Sequence, residues 1–339
     1  MDIVLLACGL VLSFIMAFNM GGNDAVNPTD CAVGSGVLSI SKALILFSVF
    51  TFIGSLLQGF MVMKTIGVGI VPEIDVLGAF IIILSANIWI LISSLLGKPI
   101  STTHSVIGAI LGYGLVKYGL NINIQVLAMI ALSWISSPLC SLILAFTVYK
   151  MLETFIKRSK IWESLVFEKL IKVLLIFSLC FSAYSFGAND VGNATGVYVT
   201  IASKLGRLPD YNTMILLATY GAIGIVIGGL VIGPRVLKTV AFEVYRLDVL
   251  TGFAAEISNA FVVYLFTTIP YMFIGYGLPI STSYATVGSI IGAGIAKNRK
   301  LINKTVTISI AIFWILTVPV TAVLCGLMYI IGISIIPQL

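Results

Sequence analysis

The stretch GGNDAVN, Gly21–Asn27, returns in altered form as GANDVGN, Gly187–Asn193, and both copies lie in long apolar sequence. Each carries the pattern Asn-Asp-x-x-Asn, so that Asn23, Asp24 and Asn27 have counterparts in Asn189, Asp190 and Asn193 at one constant spacing. A second matched pair follows: GKPISTTHS around Ser101 in one half and YGLPISTSY around Ser281 in the other. Paired polar interruptions of apolar sequence are the pattern of a secondary transporter, whose solute and ions are held between two repeats inside the bilayer.

Composition supports a membrane location. Of 339 residues, 59% are hydrophobic and 9% charged, and the mean hydropathy is +1.14. So little polar surface cannot cover a soluble globule of that length. Apolar stretches long enough to cross about 30 Å of hydrocarbon run from Ala43 to Met63, Val76 to Leu96, Val126 to Tyr149, Met214 to Ile232, Val249 to Phe266 and Val306 to Ile330. The opening MDIVLLACGLVLSF has no basic leader or small-residue cleavage site and reads as a retained first span. The five cysteines show no metal-ligand spacing and read as packing residues. The net charge of +6 is not gathered on a soluble face, which argues against a nucleic-acid partner and makes the lipid bilayer the expected surrounding.

The basic residues predict topology instead. With five segments per half and an external amino terminus, one side receives Lys42, Lys98, the run from Lys150 to Lys172, Arg235, Lys238, Arg246 and the group from Lys297 to Lys304. Only Lys64, Lys117, Lys204 and Arg207 fall on the other. The positive-inside tendency makes the first side cytoplasmic. The expected organisation is a first membrane repeat over residues 1–149, a basic, amphipathic cytoplasmic linker over 150–172, and a second repeat over 173–339. An odd number of crossings per half inverts the second repeat relative to the first and leaves both termini extracellular, in the cell membrane.

The fold class expected is therefore an all-α polytopic membrane protein with two inverted-topology repeats and discontinuous helices or re-entrant hairpins. Residues 2–42 are too long for one span, and Gly21, Gly22 and Pro28 suggest two helical pieces with an unwound stretch between. The same reading applies from Gly187 to Gly196. The PIST segments join paired apolar stretches, either as full hairpins or as re-entrant tips; Lys98 favours a tip near water in the first half, and the matching Leu278 carries no such cost.

A carboxylate inside a membrane is expensive and implies a cation, a proton or a wet cavity as partner. Asp24 and Asp190, with the amide oxygens of Asn23, Asn27, Asn189 and Asn193, offer all-oxygen ligation suited to a hard cation such as sodium. The other reading of these residues is a hydrogen-bonded network between helices. Ser101, Thr102 and Thr103 follow Pro99, and Ser281, Thr282 and Ser283 follow Pro279. A proline followed by hydroxyl residues starts a helix, and helix starts present free N–H groups and a positive dipole end to anions. Plain N-capping accounts for the same residues. Together the two signals predict sodium-dependent uptake of a tetrahedral oxyanion. Asp24 and Asp190 would accept the phosphate O–H that sulfate lacks.

These motifs resemble those of the inorganic phosphate transporter (PiT) family. GANDVGNA, Gly187–Ala194, is similar to that family's GANDVANA signature, and GKPISTTHSVIGAILG to its PIS-containing segment. The resemblance spans both halves and implies inorganic phosphate transport driven by sodium or protons, inverted repeats and frequent homodimerisation. It implies no cofactor beyond the coupling ions and no enzymatic activity; HExxH and GxSxG are also absent from the sequence. The first copy departs from the signature at Gly22, Ala25 and Pro28 and adds a carboxylate, Asp30; Thr102 stands where glycine is common, and Tyr284 stands opposite His104. His104, the one histidine, reads as a packing residue beside the site or a proton carrier. Glu256, in apolar AAEISNA, is a candidate for a further cation or gating site; its first-half match, LSAN at Leu84–Asn87, has no carboxylate. The Lys-Thr pairs at Lys64 and Lys238 read as helix ends at the interface. A sulfate or proton-coupled permease on the same scaffold is the alternative expectation.

Overall fold

The computed structural model describes residues 2–95, 100–159, 165–203, 210–240, 247–298 and 304–335, and these contain helices and no strands. Helix α1 spans Asp2–Asp24, α2 Asp30–Gly34, α3 Ile40–Gln58 and α4 Phe60–Lys64, which runs into a π-helical turn at Thr65–Gly69. Helices α5 (Val76–Leu95), α6 (Thr102–Tyr118) and α7 (Ile124–Ser159) follow. In the second half α8 spans Leu165–Thr195, a 3-10 turn Gly196–Tyr198, α9 Val199–Ser203, α10 Tyr211–Val231 and α11 Gly233–Val240. Helices α12 (Val249–Ile274), α13 (Thr282–Asn298) and α14 (Lys304–Ile335) complete it. Among the described residues seven helices are long and apolar enough to cross a membrane.

Several expected spans are cut or extended. The stretch expected from Ala43 to Met63 is interrupted between α3 and α4 at Gly59, and α12 and α7 run well past Phe266 and Tyr149. Lys98, Lys160, Lys204, Arg207, Arg246, Arg299 and Lys300, which entered the charge assignment, lie outside the described residues.

The two halves are built on one plan, visible atom by atom where helices cross. A Cβ on Gly21 of α1 would stand 1.8 Å from the Ile225 carbonyl oxygen of α10, and one on Gly228 of α10 would stand 1.8 Å from the Phe18 carbonyl oxygen of α1. The repeat-related crossing of α8 and α3 is the same: Gly187 faces the Thr51 carbonyl at 2.1 Å and Gly54 the Tyr184 carbonyl at 2.0 Å. The hairpin helices repeat the device. Gly108 and Gly112 of α6 meet the backbone of Val318 and Ala322 in α14, and Gly288 and Gly292 of α13 meet Pro138 and Leu142 in α7. Glycine lets two backbones approach until carbonyl oxygens fill the missing side-chain volume, a contact that packs well where burying apolar surface against lipid gains little. In each crossing one helix belongs to each half, so the halves are interlocked rather than set side by side.

Those crossings also correct the expected breaks. Gly21 and Gly22 are helical, the latter against Ile232, and α1 continues to Asp24. The interruption is later, at residues 25–29. There Pro28 supplies no N–H, and the chain is held by the Asn27 amide on the Asp24 carbonyl at 3.0 Å and the Thr29 hydroxyl on the Ala25 carbonyl at 2.6 Å. The second copy does not unwind where expected: α8 is helical through Asn193 to Thr195. It carries Ala194 in place of Pro28, and its glycines serve close packing instead of breaking the helix.

The second PIST segment is a buried hairpin tip, not a surface turn. Non-helical backbone away from water needs a donor for each carbonyl, and here four side chains supply them in succession. Thr65 donates to the Gly277 carbonyl (2.6 Å), Asn189 to Leu278 (3.1 Å), Trp134 to Pro279 (3.0 Å) and Thr103 to Ile280 (3.0 Å). At the opposite end each hairpin is closed by an ion pair, Asp75 with Lys117 in the first half and Asp248 with Lys297 in the second.

Candidate substrate and cation site

Helices α6 and α13 start inside the protein, and their first turns bring the predicted hydroxyls together with the Asn/Asp copies. Ser101 and Ser281 are N-caps, accepting from the backbone amides of His104 (3.3 Å) and Tyr284 (3.4 Å). Capping therefore occupies the side chains of these two serines. Thr102 does more than stiffen its turn: its hydroxyl donates to Asp24 Oδ2 at 3.1 Å.

The asparagines cross between halves. Asn27 donates to Ser283 Oγ at 3.0 Å and to Thr282 Oγ1 at 3.5 Å, on the second-half helix start. Its counterpart Asn193 donates to Thr103 Oγ1 at 2.9 Å, on the first-half start, and to Asp190 Oδ1 at 3.0 Å. Asp24 and Asp190 are close enough to interact electrostatically. Two carboxylates thus stand beside two helix starts, so the region presents charge of both signs.

The copies differ in exposure. Asn189, Asp190 and Asn193 are all buried, at 0%, 2% and 0%, whereas in the first copy Asn23 is exposed, Asp24 half-buried and only Asn27 buried, at 7%. In the sealed copy Asn189 Oδ1, Asp190 Oδ2 and Asn193 Oδ1 have no hydrogen-bond partner. A buried unpaired oxygen costs roughly 1–3 kcal/mol, and the second copy carries three of them on neighbouring residues of one helix. Asn189 turns its amide nitrogen the other way, to Thr267 Oγ1 at 2.8 Å and to the hairpin tip.

Residues 20–325 match the profile of the phosphate transporter family. The chain belongs to that family. It is 31% identical to a protein named as a phosphate permease in Pyrococcus abyssi, over 94% of this chain and 96% of the relative. It is 26% identical to one named likewise in Haemophilus influenzae, over 92% and 93%. Among solved structures it resembles one titled the sodium-dependent phosphate transporter, with a TM-score of 0.83 and 27% identity over 97% of this chain and 98% of that one. The family is one of transporters and not a class of enzymes.

In this phosphate transporter family member His104 and Tyr284, repeat counterparts, pack ring to ring at 4.5 Å. His104 also stacks on Trp134 at 3.8 Å, and its Nδ1 lies 2.8 Å from Ser101 Oγ. These contacts give it a packing and capping position at the junction of the halves. Glu256 is elsewhere, buried with Asp30 and Cys31. Sequence reasoning missed Thr267 and Trp134, single polar groups in apolar spans whose partners lie far along the chain. It also missed the two ion pairs, although their matching places in both halves were a usable signal. Burial alone would raise the Asp75 carboxyl, but Lys117, the Gly78 amide and Tyr329 outweigh it and hold it below its usual range. Asp248 is lowered in the same way by Lys297 and Thr251.

Proposed function

We propose that the chain imports inorganic phosphate by sodium symport, with the solute and ions held where the two Asn/Asp copies meet the two hydroxyl-rich helix starts. The observation that carries this reading is the crossed hydrogen bonding, Asn27 to Ser283 and Asn193 to Thr103. It couples each half's cation ligands to the other half's anion-binding turn. Sodium at Asp190, Asn189 and Asn193, and at Asp24, Asn23 and Asn27, would neutralise the carboxylates. The first-turn amides of α6 and α13, with the hydroxyls of Thr102, Thr103, Thr282 and Ser283, would bind the phosphate oxygens. Cation binding then turns a site that repels the anion into one that attracts it, which is the physical content of coupling.

The related crossings of the two halves support an inverted-repeat carrier with alternating access, in which exchange of the two halves' conformations moves the opening from one face to the other. The sealed second copy and open first copy fit one end of that cycle. A cell-membrane location with both termini outside and a homodimeric assembly belong to the same reading, the first on basic-residue placement and the second on the family resemblance.

Radiolabelled phosphate uptake into proteoliposomes of the purified protein tests it, comparing inward sodium and inward proton gradients with excess sulfate present. Sodium-driven uptake that resists sulfate is expected. Uptake driven by protons alone would move Asp24 and Asp190 into proton-carrying roles, and strong sulfate competition would overturn the choice of anion.

A further inference from the structure

Asp30, Cys31 and Glu256 form a second polar cluster away from the helix starts. One ligand atom from each lies within 4.8 Å of the others, and all three side chains are buried. Asp30 is 7% exposed, Cys31 1% and Glu256 1%. Neither Glu256 oxygen nor Asp30 Oδ1 has a hydrogen-bond partner of normal geometry, although Ser182 and Asn259 stand beside the Glu256 carboxylate. Asn259 spends its amide N–H on Ser182 at 3.2 Å and leaves its own oxygen unpaired. No lysine or arginine pairs with either carboxylate among the described residues. The surroundings are apolar: Ala32, Leu175, Leu179, Ala254 and Ala255 belong to the same buried cluster.

We propose that Asp30, Cys31 and Glu256 hold one divalent cation of the zinc or manganese class, at a site distinct from the repeated Asn/Asp ligands and without a repeat-related counterpart. Charge favours a divalent ion. Two carboxylates in an apolar pocket carry a charge of two, and Cys31 adds a third because sulfur ligates as the thiolate, its proton leaving to solvent on binding. A divalent ion leaves one of the three uncompensated, a monovalent ion two. The thiol selects the softness: sulfur ligands suit zinc and neighbouring transition metals and are poor for magnesium or calcium. Asn259, beside Glu256, carries a further buried oxygen without a partner. In the other half Asp30, Cys31 and Glu256 are matched by Gly196, Val197 and Leu84, whose side chains carry no ligand atom. The site joins α2, immediately after the break at Pro28, to α12, so an ion there fixes the open copy's exit to the second half's hairpin.

The test uses the full-length protein in detergent, stripped with chelator and free of sodium and phosphate. Calorimetric titration with zinc chloride and with manganese chloride is expected to show one equivalent bound per chain and a saturable rise in the unfolding temperature, with calcium chloride giving neither. Asp30→Gly, which copies the other half, and Glu256→Gln are each expected to weaken binding at least about tenfold. Cys31→Ser is expected to weaken zinc more than manganese. Absence of one-equivalent binding by either metal, or binding unchanged in Asp30→Gly, overturns the proposal even if Glu256→Gln does not fold. So does an unfolding temperature raised by sodium chloride instead and lost in Asp30→Gly, which would mark a monovalent site. Phosphate uptake plays no part in these readouts.

Discussion

GGND and GAND are the same motif in two conditions. The first ends its helix at Asp24, is broken by Pro28 and leaves Asn23 exposed. The second runs helical to Thr195 with every motif polar residue buried. Gly21 and Gly187 make equivalent backbone contacts, so the scaffolds agree there, and the copies differ in substitutions such as Pro28 for Ala194 and in the exposure of Asn23 and Asp24. A duplicated site can therefore keep one packing geometry while its two copies stand at different stages of exposure.

The comparison breaks most completely if the carboxylates are neutralised. Asp190→Asn and Asp24→Asn should each lower sodium-driven uptake by more than about tenfold, equivalent to about 1.4 kcal/mol, with the protein still folded by size-exclusion chromatography. Normal sodium dependence in either variant would remove that copy from the cation assignment. Next come the crossings. Gly187→Ala and Gly21→Ala should both destabilise by about 1–3 kcal/mol through overpacking, read as lowered unfolding temperatures in detergent. A loss at one crossing only would mean that the two are not equivalent.

Access sharpens the contrast directly. A cysteine at Asn23 should react readily with a membrane-impermeant maleimide, and one at Asn189 should react far more slowly; equal rates would contradict the sealed second copy. The smallest effect is at the hairpin ends. Asp75 and Asp248 have folded-state pKa values below their unfolded values. Their contribution is therefore present above about pH 4, the unfolded carboxylate value, and is lost as pH falls through the lower folded value. Asp75→Asn should cost about 0.5–1 kcal/mol at pH 7 and progressively less as pH falls below about 4. Asp248→Asn should cost less, because its side chain is 48% exposed against 27% for Asp75.

The repeat, the membrane class and the identity of the polar clusters were legible because unpaired polar residues are costly in apolar sequence and cannot recur in matched positions without a use. The path of the backbone was less so. Gly21 and Gly187 look like helix breakers in a local reading, because the carbonyl that occupies the space beside each belongs to a helix far along the chain. Asn189 looked like a plain cation ligand, yet half of its side chain holds the hairpin tip. Asp30 was visible only as a departure from the signature; its meaning depended on Glu256, which folding alone brings beside it.

The interlocked crossings bear on how the protein is made. Helix α1 reaches the membrane long before α10, and α3 before α8, since synthesis runs from the amino terminus. Until the second half emerges, the carbonyls that fill the notches at Gly21 and Gly54 in the finished molecule are not yet made. The first half is thus an incomplete assembly awaiting its partner, and a chain truncated after α7 should be cleared by membrane proteases and not persist as a folded half.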